Sequence, residues 1–91
     1  MAHTPMSLRI TKTTSDASTI FKVDGRLVAD GVADLERDCQ STEGTVYLDL
    51  TELLSADAES IEAIKRMVDG GARLLGASPY IRIQLGLKEE E

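Results

Sequence analysis

With 91 residues, 42% of them hydrophobic and 29% charged, the chain has the size and balance of one small folded domain and excludes a disordered polymer. Sixteen acidic against ten basic residues leave a net charge of −6, which repels phosphate backbones and anionic lipid heads and leaves a basic protein patch as the natural complement. Aromatics are scarce and Trp is absent, so the core must be Leu, Ile and Val, while a single cysteine excludes an internal disulfide and fits a reducing cytoplasm.

No apolar run approaches the roughly 18 residues of a transmembrane helix. Met1 to Ser7 lacks the charged and apolar regions of a signal peptide and reads as a flexible tail ahead of a single domain over 8–87. Residues 88–91 then form an acidic C-terminal tail.

Residues 8 to 12 alternate apolar and polar, as a half-buried strand does, and Thr14-Ser15-Asp16 reads as a turn. Thr19 to Val23 is β-branched and aromatic, which predicts an antiparallel hairpin with the first run. Asp24-Gly25 bends or bulges the chain before Arg26-Leu27-Val28 continues it. Asp30 is the expected N-cap of a first helix whose buried stripe is Val32, Leu35 and Cys39. Thr45 to Leu50 is the most continuously apolar strand, expected at the centre of the sheet and buried on both faces.

A second helix is expected from about Asp57 to Asp69, with Ile61, Ile64 and Val68 buried beside Ala63 and Met67. Glu62 and Arg66 stand at the i,i+4 spacing of an ion pair, and Gly70-Gly71 supplies a left-handed stop. Leu53 and Leu54, ahead of this helix, fit either core or an exposed contact patch. Arg73 to Gly76 is a further short strand. The pattern leaves 81–87 open: alternating Ile81, Ile83, Leu85 and Leu87 favour a strand, whereas Ser78-Pro79 is a helix opening. Two βα crossovers predict an α/β domain with a small mixed sheet and helices packed on it.

Taken together, Val23-Asp24-Gly25-Arg26-Leu27, Val46 to Thr51, Asp57 with Ile61 and Ile64, Gly70 to Leu74 and Ala77-Ser78-Pro79 resemble the STAS family over about residues 8 to 87. That family comprises the anti-sigma factor antagonists of bacteria and the cytoplasmic tails of sulfate transporters. The resemblance implies the order β-β-α-β-α-β-α, with 81–87 helical. It also implies a non-catalytic, cytoplasmic interaction module in transcriptional signalling, docking partners around Ser55, Asp57, Ala58, Glu59 and Ser60. The family opens its second helix with Asp-Ser-x-Gly and is phosphorylated on that serine. Here Ala58 holds the serine position and has no hydroxyl, so no phosphorylation is expected at the usual site. Ser60 lies about 200° further round the helix and is a poor substitute.

The remaining residues carry plainer readings. His3 is the only histidine and sits in the tail; Cys39 reads as a buried structural cysteine. Asp57 reads as a helix cap, as part of the docking surface, or as both. Glu59, Glu62 and Asp69 are expected on a solvated helix face, and Gly25 is explained by backbone geometry. No nucleophile–base pair, ligand set or phosphate loop stands out, so neither an enzyme nor a cofactor or metal is expected. The expected partner is a kinase-like anti-sigma regulator, with two alternatives: an accessory subunit binding the ATPase of a lipid-type ABC transporter, or a small-ligand or nucleotide sensor. No direct membrane insertion is expected, and self-association stays open.

Overall fold

The computed structural model describes residues 8–86; His3, Leu87 and both tails lie outside them. β1 (Arg9–Ser15) and β2 (Ser18–Leu27) form the expected antiparallel hairpin, with Arg9 opposite Asp24 and Ser15 opposite Ser18. α1 (Ala29–Ser41) follows, then β3 (Thr45–Leu50), which pairs parallel to β2. β4 (Leu53–Ala56) is a short strand that the sequence pattern did not separate from its neighbours; it pairs parallel to the end of β2. After α2 (Ala58–Asp69), β5 (Arg73–Ala77) pairs parallel to β3, and α3 (Pro79–Gln84) closes the order. The main path across the mixed sheet is therefore β1-β2-β3-β5.

Period-two alternation sends Phe21 and Val23 of β2, and Val46, Leu48 and Leu50 of β3, to one face. There they join Val32 and Leu35 of α1, Ile61, Ile64 and Met67 of α2, and Ile81 and Leu85 from the α3 region in one core. The Lys12 ammonium lies 5.8 Å from the centre of the Phe21 ring and covers the core at the β1 edge. β3 does sit inside the sheet, but it is not buried on both faces. Tyr47 and Asp49 point to the opposite face and are only half-buried, as are Ile20 and Lys22 of β2.

Several local expectations need correcting. Asp30 does not cap α1: the helix begins at Ala29 with Val28 at the cap position, and no side chain of α1 supplies the cap bond. Met67 is buried where Val68 was expected, the latter being only partly covered. Arg66 does not pair with Glu62. It reaches across to Glu36 of α1, with Nε and Nη2 each 2.9 Å from a carboxylate oxygen, while Glu62 takes Lys65. A bidentate fork to a neighbouring helix offers two bonds where the i,i+4 neighbour would offer a looser contact. Cys39 is only partly buried against the core.

The contested C-terminal stretch is a helix through Gln84. Ser78 Oγ accepts from Ile81 N at 3.3 Å, Pro79 occupies the first turn, and Ile81 and Leu85 bury one flank at helical spacing. Gly25 has φ 93°, and the β2–β4 register shifts beside it, so the expected bulge is present.

Candidate functional site

Asp57 stands where β4 gives way to α2, and its extended backbone makes it the N-cap residue. One carboxylate oxygen accepts from Ser60 N at 2.9 Å, the usual capping bond. The other accepts from Ala29 N at 3.2 Å, so the same side chain also satisfies a free amide at the start of α1. The Asp57 amide in turn donates to Leu27 O at 3.2 Å, which ties the junction to the end of β2. Asp57 thus serves two helix starts at once. Hydrogen bonding from Ser60 outweighs desolvation and, with a lesser contribution from the Ala29 amide, holds its carboxyl below the ordinary carboxylate range.

Around this junction Asp57, Ala58 and Glu59 are exposed, and Ser55 is half-buried. Ser60 is 0% exposed, so it offers no surface to a partner or a kinase. Its hydroxyl is buried and has no hydrogen-bond partner among the described residues. The expectation for Leu53 and Leu54 resolves by strand alternation: Leu53 is 2% exposed in the core, and Leu54 is 55% exposed. Val28, half-exposed beside Ala29, joins the junction although no sequence pattern marked it. The available signal was topological: βα units in one parallel arrangement place their helix starts at the same ends of the strands.

The junction has a capping carboxylate, a second exposed acid at Glu59, and the exposed methyl group of Ala58 between them. Among the described residues, no group of three or more His, Cys, Asp or Glu side chains is placed to hold a metal ion. No helix among them is long and apolar enough to cross a membrane. Gly25, beside the junction, belongs to the backbone bulge. Glu59, Glu62 and Asp69 are all exposed along α2.

This arrangement of a mixed sheet under three helices, with the second helix opening on an aspartate, is the STAS fold. No family model matches the sequence, and no curated protein matches it. Solved structures do match. The anti-sigma factor antagonist SpoIIAA in its unphosphorylated form superposes with a TM-score of 0.66 at 14% identity, over 93% of this chain and 90% of that one. An antisigma-factor antagonist STAS domain from Rhodobacter sphaeroides gives a TM-score of 0.55 at 21% identity, over 74% of this chain and 82% of that one. At these identities the likeness is one of fold.

Proposed function

We propose that the chain is a non-catalytic, cytoplasmic interaction module of the anti-sigma factor antagonist kind that docks a basic face of a kinase-like regulator at the α2 start. The observation that carries this reading is the junction itself: two helix starts held together by Asp57, with Ala58, Glu59 and half-exposed Val28 at the surface. A pre-organised surface of small, acidic and apolar groups suits protein docking, and an acidic chain favours a basic partner.

The reading includes the loss of the phosphoswitch. Phosphorylation would add charge at a helix start and release or reshape a docked partner. Ala58 has no hydroxyl to receive a phosphate, and Ser60, the nearest serine on the helix, is buried.

Affinity capture with the wild type, Glu59→Lys and Asp69→Lys, followed by identification of the bound proteins, tests both parts. Glu59 is exposed and makes no capping bond, so reversing its charge leaves the helix starts intact. A regulator ATPase captured by wild type and Asp69→Lys but lost with Glu59→Lys supports docking at the α2 start. Capture that survives Glu59→Lys moves the surface elsewhere, and recovery of a transporter ATPase instead replaces the partner. Stoichiometric phosphate found by intact mass on residues 55–60 overturns the lost switch.

A further inference from the structure

Val68 of α2, Leu74 of β5 and Leu85 at the end of α3 line a groove of about 320 Å3, with Lys65 and Asp69 of α2 also bordering it. Val68 and Leu74 are only partly buried, so these apolar walls lack a full cover among the described residues. The two bordering charges are of opposite sign, and the lining therefore favours an apolar occupant over an ion. Its volume lies at the low end of ligand pockets, which run from about 300 to 1,000 Å3, and suits a side chain better than a larger molecule.

The chain itself arrives at this groove. Leu85 is 7% exposed and forms part of the lining. The next residue, Gly86, takes φ 81°, and its amide donates to Ile83 O at 3.0 Å. Both features belong to the left-handed helix stop in which the residue after the glycine turns back and lays an apolar side chain against the last turns of the helix. That residue is Leu87, the one apolar side chain among 87–91. A helix continued through Gly86 would instead carry Leu87 to the flank of Tyr80 and Ile83, which are 58% and 71% exposed. The turn at Gly86 takes it off that flank and towards the one that Ile81 and Leu85 bury.

We infer that Leu87 folds back and fills the groove between α2, β5 and α3, so that the segment after Gly86 straps the last helix to the second half of α2. The groove is then closed by the chain's own side chain and is not open to a partner or a small ligand. This closure is separate from the α2 start and does not depend on the docking role proposed there.

The test is a methyl NOE experiment on the whole chain, run also on a mixture of labelled and unlabelled chains. Contacts from the Leu87 methyls to those of Val68, Leu74 and Leu85, all within one chain, are expected. Gly86→Val should abolish them, since a β-branched residue resists positive φ, whereas Gly86→Asn, which tolerates it, should keep them. There is open space where a side chain at Gly86 would stand, so neither replacement clashes. Leu87→Ser should lower Tm by roughly 4–8 °C, and Lys88→Ser should leave it unchanged. Contacts between chains would make a second copy the occupant. That result, contacts with the Tyr80 and Ile83 flank instead, the absence of any Leu87 contact, or an unchanged Tm for Leu87→Ser would each overturn the strap.

Discussion

The carboxylate of Asp57 accepts a hydrogen bond from the backbone amide of Ala29, 28 residues earlier, at 3.2 Å. With its other oxygen on Ser60 N, one side chain closes two helices and joins them to the sheet. A residue expected to cap α2, to dock a partner, or both therefore also accepts from the first amide of α1. This shared duty makes Asp57 a poor place to reverse charge when only docking is to be probed.

Asp57→Ala removes both capping bonds, whereas Asp57→Asn keeps an oxygen acceptor for one of them. Asp57→Ala is expected to lower Tm by roughly 4–8 °C, with Asp57→Asn falling between it and the wild type. Thermal unfolding followed by circular dichroism reads this directly. Equal Tm values for wild type and Asp57→Ala would show that neither helix start relies on this side chain.

Acid stability follows from three carboxyls held below their ordinary values: Asp57 through Ser60 and Ala29, Glu36 through the Arg66 guanidinium, and Asp49 through Thr51. In each case the folded state gives up its proton more readily than the unfolded chain. Their stabilisation is complete above about pH 4–4.5, the range of free carboxyls, and is lost as pH falls through the lower folded values. Tm should be flat with respect to these groups from pH 7 to about 5 and fall below about 4. Glu36→Gln, which removes one of the three carboxyls, should flatten the acid limb.

Positions 58 and 60 should respond in opposite ways to an added carboxylate. Ala58 is exposed in the first turn of α2, where negative charge favours the helix, so Ala58→Asp should leave Tm within a few degrees of the wild type. Ser60 is buried among apolar groups, and Ser60→Asp should cost about 3–5 kcal/mol, a large share of the stability of a small domain. Urea denaturation of the two variants compares them. Equal destabilisation would contradict the orientation of the helix.

Cys39 should be a slow nucleophile. Its pKa is pushed up to about 11, first by burial and then by Asp38 and Glu36, against about 8.5 for a free thiol, and the thiolate is the reactive form. At pH 8 the folded chain should react with iodoacetamide at least tenfold more slowly than the urea-unfolded chain. The folded state holds this proton more tightly, so the thiol's contribution to stability is complete below about pH 8.5 and is lost as pH rises towards 11. A Cys39→Ala variant should show a shallower alkaline loss of Tm.

Local periodicity made the hairpin, α1, β3 and α2 legible, because alternation and helical stripes record which face meets the core. The same rule could not decide 81–87, where Ile81 and Leu85 satisfy both periods; Ser78-Pro79 and the resemblance settled it in favour of a helix. β4 was missed because four residues next to a turn carry too little pattern. Arg66 illustrates another limit. Spacing offered Glu62, but the guanidinium took a better-placed carboxylate from a helix 30 residues away.

At the candidate site, the sequence alone established what Ala58 lacks, since the absence of a hydroxyl needs no coordinates. It also placed an aspartate at the opening of α2 and an acidic balance on the chain. Only the tertiary structure brought Ala29 to Asp57, exposed Val28 and Leu54, buried Ser60, and set α2, β5 and the end of α3 around one groove. The division is physical: chemistry and local hydrogen bonding belong to neighbours in the chain, whereas burial, cross-helix pairing and a groove between three elements arise only when distant segments share a core.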